Sequence, residues 1–327
     1  MNLSERLAKI AEIIPDGARV ADIGTDHGYL PIYLAESGKA RHVILSDINA
    51  GPIDKALLNI AAAAKGNQLE ALKKPHSLMP KVVEKKGLLA RLTGKKEYKI
   101  EQPGTEWDVR RGDGLAPIGV GEVDVCVVAG MGGHTIRGIL EADPEKTASV
   151  KLFVLQPRTE EGMLRAWLRE EGWGFYKDCL VREGTFLCQI IAVVPPKMAS
   201  HAETVVEEER KRLEEERKMK EGPIAPWAVT PNVEDVIDTG EAKPKKKPLA
   251  EELTELCEVL EWDASPLWFL EKDPLAAEYV QRTYVKEEGI LNALKQAKSP
   301  ESAAKEALTG KKADALKRLA EIASQSL

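Results

Sequence analysis

Apolar and polar positions follow two distinct patterns along the first 194 residues of the chain. Short, nearly continuous apolar runs alternate with segments whose apolar residues recur at helical spacing, as expected for buried parallel strands joined by helices. These runs lie at 18–24, 42–47, 107–111, 123–129 and 150–155. Two further runs, at 174–181 and 186–194, have no helix between them and predict an antiparallel pair at one edge of the sheet. The pattern predicts an α/β fold with a doubly wound, Rossmann-like sheet of seven strands.

The pattern changes after residue 196, and this change predicts the division into domains. Residues 1–196 are expected to form one domain. Residues 197–248 combine a highly charged stretch at helical spacing with a stretch rich in proline, glycine and lysine, which predicts a solvated helix and a linker. Residues 249–327 carry apolar stripes and predict a helical domain in which two long helices fold back on each other as an antiparallel coiled coil.

A basic insertion at 72–105 interrupts the alternation of strands and helices. It holds nine lysine or arginine residues against three glutamates. Val82, Val83, Leu88, Leu89 and Leu92 are spaced so that they could pack a short helix. Two interpretations of the insertion remain open, a solvated loop and a flap that contacts phosphates.

Composition and charge restrict the class of protein. Hydrophobic residues make up 43% of the 327 residues and charged residues 31%, as in soluble globular proteins. A net charge of −6 excludes a globally basic nucleic-acid binder but not a local basic patch. Because no apolar run reaches membrane-spanning length and the first residues resemble no signal peptide, we expect a cytoplasmic protein without a membrane partner. The oligomeric state is left open, with a monomer favoured. Scattered cysteines predict free thiols and no metal site; they are Cys126, Cys179, Cys188 and Cys257.

The most informative motif begins where the first predicted strand ends, at Asp22-Ile-Gly-Thr-Asp-His-Gly-Tyr-Leu-Pro31. Gly24 and Gly28 permit a sharp turn and a close approach of a ligand to the backbone. The helix that follows directs its free N–H groups toward that ligand. The spacing departs from the Gly-x-Gly-x-x-Gly of dinucleotide-binding turns. With an acid at the strand end, it resembles the S-adenosylmethionine (SAM) loop of class I methyltransferases.

Two more acidic residues follow predicted strands at the same edge of the sheet. Asp47 ends the second strand, where a ribose diol would find an acceptor, and Asp113 follows the next strand, where an adenine amino group would find one. We therefore predict SAM as the cofactor. The predicted cofactor-binding residues are Asp22, Gly24, Thr25, Gly28, Asp47, Ile48, Asp113, Gly114, Ala129 and Gly130.

A family resemblance rests on four motifs that occur in a fixed order. The glycine turn at 22–31 is followed by Gly112-Asp-Gly-Leu115, Ala129-Gly-Met-Gly-Gly133 and Leu155-Gln-Pro157. In this order they resemble the TrmK family of bacterial tRNA methyltransferases, over about residues 3–194 and the C-terminal helical pair. The resemblance implies SAM-dependent methylation of N1 of adenosine 22 in tRNA, by a Rossmann-like catalytic domain followed by a coiled-coil domain that helps to hold the tRNA.

Residues around these motifs are candidates for catalysis and substrate binding. Asp26 is the first candidate for a carboxylate that stabilises the methylated base, with His27 and Tyr29 beside it for positioning or stacking. For each of them a purely structural role remains open, such as capping of the helix after Gly28 by Asp26. The predicted substrate-binding residues are Met131, Gly132, Gly133, Gln156, Pro157 and Arg158.

The glycines at 132 and 133 would let a flat base approach closely, or would simply make a tight turn. Likewise, Gln156 would bind the base or satisfy backbone groups. The predicted tRNA surface consists of the basic insertion, Arg110–Arg111 and Lys243–Lys247. Two rival functions remain, a SAM-dependent methyltransferase for another RNA or a small molecule, and a non-catalytic RNA-binding protein with a SAM-shaped pocket.

Overall fold

A computed structural model describes residues 3–71, 81–85, 97–102, 105–196, 248–297 and 300–325. Within these ranges nine strands form one sheet in the order β3-β4-β5-β2-β1-β6-β7-β9-β8. The strands are β1 (Ala18–Ile23), β2 (Ala40–Asp47), β3 (Lys81–Lys85), β4 (Glu97–Gln102), β5 (Thr105–Arg111), β6 (Val125–Gly132), β7 (Leu152–Thr159), β8 (Gly174–Glu183) and β9 (Phe186–Val194). The seven predicted strands and the antiparallel pair at the edge are confirmed.

Strand order determines where a ligand can bind. The pairs β1–β2, β2–β5, β1–β6 and β6–β7 are all parallel. The chain moves outward from β1 through β2 to β5, and then crosses back to place β6 on the other side of β1. Connections from β1 and β6 therefore diverge at their carboxyl ends and leave a crevice there, which is the usual ligand site of doubly wound sheets.

Strands β3 and β4 form a hairpin that was not predicted. They pair with each other and β4 pairs with β5, both in antiparallel fashion, so that the sheet extends beyond β5. The expectation of a short helix that includes Val82 and Val83 was wrong, because both residues belong to β3. The rest of the basic insertion lies outside the described residues.

Helices cover both faces of the sheet. They are α1 (Glu5–Ile13), α2 (Tyr29–Glu36), α3 (Ala50–Ala71), α4 (Gly133–Ala142), α5 (Pro144–Ser149) and α6 (Glu161–Glu170). One core packs α1, α2 and α3 against one face, with Ile10, Leu34 and Ala56 among its buried residues. A second core packs α4 and α6 against the other face through Ile136 and Leu164. Successive strand residues alternate between these cores, as the pleat requires.

The C-terminal residues form a helical unit that packs against β8. Its helices are α7 (Leu249–Val259), α8 (Pro266–Leu270), α9 (Ala276–Gln296) and α10 (Pro300–Gln325). The long helices α9 and α10 contact each other extensively and are joined by a short connection, so the predicted antiparallel pair is present. A third core joins Leu180 of β8 to Leu253, Trp268 and Leu316. The predicted charged helix and linker lie almost entirely outside the described residues.

A buried arginine fixes this helical unit to the sheet. Arg165 of α6 donates to both carboxylate oxygens of Asp178, at 2.7 and 3.2 Å, and to the carbonyl of Trp262. Asp178 also accepts from the indole N–H of Trp268 at 2.9 Å. Because the Arg165–Asp178 ion pair is buried, its hydrogen bonds must all come from the protein. Some of them come from the sheet and others from the C-terminal helical unit.

The described cysteines are all free thiols, as predicted. Burial raises the pKa of Cys179 and Cys257 to about 12, so neither is a reactive thiolate at neutral pH. In the described part of the chain no helix combines the length and apolar character needed to cross a membrane.

Candidate active site

A cavity of about 880 Å³ opens at the carboxyl ends of β1, β2, β5 and β6. Its volume is in the range of pockets that hold drug-sized ligands. Its walls contain all ten predicted cofactor-binding residues and the three candidates for catalysis. Sequence segments from Leu3 to Arg158 thus meet where the strand order creates a crevice.

The turn after β1 forms the floor of this cavity. Backbone N–H groups of Gly24 and Thr25 both donate to the carbonyl of Ser46, at 2.8 and 3.1 Å, which ties the turn to β2. Gly24 and Gly28 have φ values of 76° and 68°, a region that favours glycine. A Cβ on Gly28 would lie 3.0 Å from the Cβ of Ala56, so this glycine also lets α3 pack against the turn.

Asp22 is the deepest acidic residue of the cavity. It is buried, and desolvation raises the pKa of its carboxyl to about 6, although Thr25 and Arg6 act in the opposite direction. A buried carboxylate without a full set of cationic partners favours a positively charged ligand group, because that group would restore the lost solvation. The position therefore suits an ammonium group.

Asp47 and Asp113 stand higher on the wall of the cavity and are more accessible. An oxygen of Asp47 accepts from the backbone N–H of Asn49 at 2.7 Å, which fixes the rotamer and leaves the other oxygen available. The carbonyl of Asp47 accepts from Gly112, so the two turns that carry Asp47 and Asp113 are joined. Arg111 donates to the carbonyl of Ile48 at 3.0 Å and holds the same loop from outside.

The three candidates for catalysis form one cluster at the mouth of the cavity. The rings of His27 and Tyr29 stack with centroids 5.3 Å apart and an angle of 12° between their planes. Nδ1 of His27 lies 2.8 Å from a carboxylate oxygen of Asp26, and Lys55 lies 3.9 Å from the other oxygen. Asn59 of α3 donates to the carbonyl of His27 at 2.9 Å and steadies the loop.

Asp26 does not cap the helix that follows it. The N-cap of α2 is Gly28, and the helix has no side-chain cap. The side chain of Asp26 is 69% exposed and faces the cavity opening. The capping alternative is therefore wrong, which leaves the carboxylate available to a substrate.

The glycine-rich segment at the end of β6 and the start of α4 contributes to the cavity only in part. Ala129, Gly130 and Met131 line it, and the methyl group of Met131 lies over Gly24, where an added Cβ would be 2.1 Å away. Gly132 and Gly133 are not among the described lining residues. A Cβ on Gly133 would meet the carbonyl oxygen of Glu160 at 2.5 Å. The contacts of Gly133 thus favour the tight turn over the approach of a base.

Of the three candidates in the last residues of β7, only Arg158 lines the cavity. Gln156 and Pro157 are buried, and the amide of Gln156 donates to the carbonyl of Pro157 at 2.7 Å. The amide oxygen of Gln156 accepts from Nη1 of Arg6 at 3.0 Å. These contacts favour a role for Gln156 in satisfying buried polar groups.

Arg6 is a charged lining residue that the sequence analysis missed. Besides Gln156, it donates through Nε to Glu183 at 2.9 Å, and its charge acts on Asp22. A signal was present in the sequence, because Arg6, Ile10 and Ile13 share one face of α1. A cation on the apolar face of an amphipathic helix indicates a polar partner inside the protein.

The predicted tRNA surface needs one correction. Arg110 is half-buried, and its guanidinium donates to Asp108, Glu122 and the carbonyl of Pro117. It therefore stabilises the loop before β6 and is not a free cation. Lys243–Lys247 lie outside the described residues. Among the residues that the structure describes, no group of three or more histidine, cysteine or acidic side chains could hold a metal ion.

Comparison with known proteins shows the family to which the chain belongs. A family model described as a methyltransferase domain matches residues 3–79 and 83–191. The chain belongs to this methyltransferase family. Over 183 residues this chain is 33% identical to the tRNA (adenine(22)-N(1))-methyltransferase of Bacillus subtilis. That match covers 56% of this chain and 61% of the relative, so this chain aligns with about three fifths of the relative's length.

Solved structures share the fold over nearly the whole chain. The M1A22 tRNA methyltransferase TrmK of Bacillus subtilis is 21% identical, with a TM-score of 0.61 and coverage of 98% of this chain and 99% of that one. A putative tRNA (m1A22) methyltransferase of Streptococcus pneumoniae, solved in complex with S-adenosyl-L-methionine, is 22% identical, with a TM-score of 0.57 and coverage of 98% and 100%. At these identities the likeness concerns the fold alone.

Proposed function

We propose that this protein transfers the methyl group of SAM to N1 of an adenosine in tRNA. One observation carries the proposal: a single cavity combines buried and accessible carboxylates at three strand ends with a stacked His27–Tyr29 pair beside Asp26. The first feature suits SAM and the second suits a nucleobase. The name of the Bacillus subtilis relative supports tRNA as the substrate and adenosine 22 as the target.

The donors and acceptors of the cavity fit the three parts of SAM. Asp22 would bind the ammonium group at the methionine end of SAM. The N–H groups at the start of α2 would bind the carboxylate at the same end of SAM. Asp47 would accept hydrogen bonds from the ribose hydroxyls. Asp113 would accept from the amino group of adenine. Gly24 and Gly114, both with positive φ, bring backbone close to the ligand without a Cβ.

Once bound, SAM supplies an electrophilic methyl group, and the protein has to orient the base and exclude water. Adenine N1 attacks with its own lone pair, so the reaction needs no base to create the nucleophile. Positive charge then develops on the ring. The carboxylate of Asp26 would stabilise this charge or accept a proton from N6, while Tyr29 and His27 hold the ring by stacking.

A target at N1 has to leave its base pair to be reached. The exposed rings at the cavity mouth offer a surface on which the released base can stack. Binding of tRNA would depend on phosphate contacts and weaken with salt. A tRNA substrate would support the expectation of a cytoplasmic enzyme.

The proposal is tested by incubating the purified protein with radiolabelled SAM and unmodified tRNA, followed by nucleoside analysis. We expect labelled 1-methyladenosine, and none when the target adenosine is replaced by guanosine. A label in a different nucleoside would favour another RNA methyltransferase. Binding of SAM and tRNA without any labelled product would favour the non-catalytic alternative.

A further inference from the structure

The turn between β8 and β9 lies at the same edge of the sheet as the cavity. Strand β9 is antiparallel to β7, with Leu155 opposite Ile191. The amino end of β9 therefore lies where β7 ends, beside the residues that enter the cavity wall. Phe186, the first residue of β9, is 74% exposed at this turn. The exposed ring of Phe186 is therefore available to a ligand that reaches beyond the cavity.

The turn is connected to the cavity through ion pairs. Glu183, opposite Phe186 in the hairpin, accepts from Nε of Arg6 at 2.9 Å, and Arg6 lines the cavity. Burial raises the pKa of the Glu183 carboxyl, but hydrogen bonds from Ser4 and Arg6 and the nearby charge of Arg158 outweigh burial and hold it below its usual value. Arg158 therefore lies close to this turn as well as on the cavity wall.

Helix α9 supports the turn from the other side. Nη1 of Arg282 donates to the carbonyl of Thr185 at 2.7 Å. Arg182 of β8 forms a double hydrogen bond with Glu278, which also pairs with Arg282. The turn is thus fixed between the cavity and the C-terminal helices, which gives the exposed ring of Phe186 a defined position.

We propose that Phe186 and Arg158 form a binding site for the RNA strand next to the target base, with Phe186 stacking on a nucleobase and Arg158 contacting a phosphate. This inference rests on the proposed function. Proteins bind single-stranded RNA by stacking bases on aromatic rings and by contacting phosphates. Phe186 at the start of β9 and Arg158 near the end of β7 supply one group of each kind beside the cavity. Glu183 lies opposite Phe186 and Arg282 binds the carbonyl of the preceding residue, so charged side chains stand near the ring.

Arg158 is the cation that suits a phosphate. Its side chain is exposed, whereas Arg6, Arg182 and Arg282 each pair with a glutamate. Within the described residues, the guanidinium of Arg158 forms no salt bridge that occupies it. A phosphate could therefore bind Arg158 without breaking an existing ion pair.

The first test is Phe186→Ala, measured as tRNA binding by fluorescence anisotropy. Loss of one stacked base is expected to raise Kd about 5-fold or more. Phe186→Trp should restore tight binding, since a larger ring also stacks. Val120→Ala removes another exposed apolar side chain, at the amino ends of the strands, and should leave Kd unchanged. An unchanged Kd in Phe186→Ala would overturn the role of the ring.

The second test measures the salt dependence of tRNA binding for Arg158→Ala. Removal of one phosphate contact should reduce the slope of log K against log salt concentration by about 0.7. Arg158→Lys should keep the slope because it keeps the charge. Arg41→Ala is the control, because Arg41 is an exposed arginine at the amino end of β2, at the other end of the strands from the cavity. A slope that falls equally in both alanine variants would contradict the assignment of Arg158.

These binding tests are separate from the test of methyl transfer. If the wild type binds tRNA but transfers no methyl group, the proposed function fails, while the response of the Phe186 and Arg158 variants still decides the binding site. If the wild type methylates tRNA and both alanine variants bind it normally, the binding site is rejected and the proposed function stands. A wild type that does not bind tRNA at all overturns both.

Discussion

Replacement of Asp22 by asparagine is expected to stabilise the free protein and to weaken cofactor binding. Asp22 is buried at the base of the cavity, and desolvation raises the pKa of its carboxyl from 3.8 to about 6, against the effects of Thr25 and Arg6. At neutral pH the native state therefore holds an ionised carboxylate in surroundings that favour its neutral form. Asparagine keeps the shape of the side chain and removes the charge.

The magnitude follows from the linkage between protonation and folding. Because the native pKa is raised, the contribution of Asp22 to the free energy of unfolding is greatest below pH 3.8 and is lost as the pH rises through about 6. The difference between the two pKa values corresponds to about 3 kcal/mol at neutral pH. We expect Asp22→Asn to gain up to this amount at pH 7 and nothing at about pH 4.

Urea unfolding of wild type and variant over a series of pH values measures this gain. Asp124→Asn is a control of opposite sign. A hydrogen bond from Arg19 holds the pKa of the Asp124 carboxyl well below its usual range. Its stabilising contribution is present at neutral pH and is lost in acid, so this control should lose about 1–3 kcal/mol at pH 7. If Asp22→Asn is destabilised at pH 7 like the control, the argument from burial is refuted.

The same substitution should reduce SAM affinity, because the amide cannot balance the ammonium group. Loss of a hydrogen bond to a charged group corresponds to about 10- to 150-fold in Kd. In the wild type, affinity should fall as the pH drops below about 6, where Asp22 becomes protonated. Calorimetric titration with SAM at several pH values measures both effects. A pH-independent affinity would show that Asp22 does not contact the cation.

Two further substitutions test the cluster at the mouth and the connection to the helical unit. Asp26→Asn should lower kcat by about 100-fold while SAM affinity stays at the wild-type value, since the carboxylate is needed only when charge develops on the base; a wild-type kcat would end its catalytic role. Arg165→Ala leaves Asp178 buried and unpaired and should cost about 3–5 kcal/mol in urea unfolding. A loss below about 1 kcal/mol would mean that water replaces the guanidinium.

The main part of the sheet and the positions of the acidic residues could be predicted from local pattern. Asp22, Asp47 and Asp113 each follow a short apolar run, and the carboxyl ends of parallel strands share one edge. The spacing of apolar residues along the chain thus predicted both the strands and the edge of the sheet at which they end. Glycines with positive φ, such as Gly28, could be recognised in the same way because their place in the turn requires it.

Contacts between distant segments could not be predicted. Arg6 reaches Glu183 across 177 residues, and no local pattern relates the two. Gly133 was assigned to the base pocket because glycines at a strand end often approach ligands. Its close neighbour is instead the backbone of Glu160, the N-cap of α6, which has a left-handed conformation at φ 61°. Such pairings depend on the assembled fold rather than on any one segment.

The β3–β4 hairpin shows a different limit. Its strands are rich in lysine and glutamate, a composition that favours solvated loops when only the local sequence is considered. Pairing with β5 supplies the missing hydrogen bonds, and charged residues are common on strands at the edge of a sheet because they prevent further association. Tertiary context therefore outweighed the weak local preference.

The difference in burial between Asp22 and Asp26 is expected to separate two tasks within one cavity. Asp22 lies in a low dielectric whether or not a substrate is bound, so it would discriminate between a cationic and a neutral ligand before any substrate arrives. The exposed carboxylate of Asp26 is screened by water in the free protein. A base that stacks on Tyr29 would displace this water, and the attraction between Asp26 and the charge developing on the ring would then increase. The catalytic effect of Asp26 is thus expected to depend on the bound nucleobase, whereas that of Asp22 on the cofactor does not.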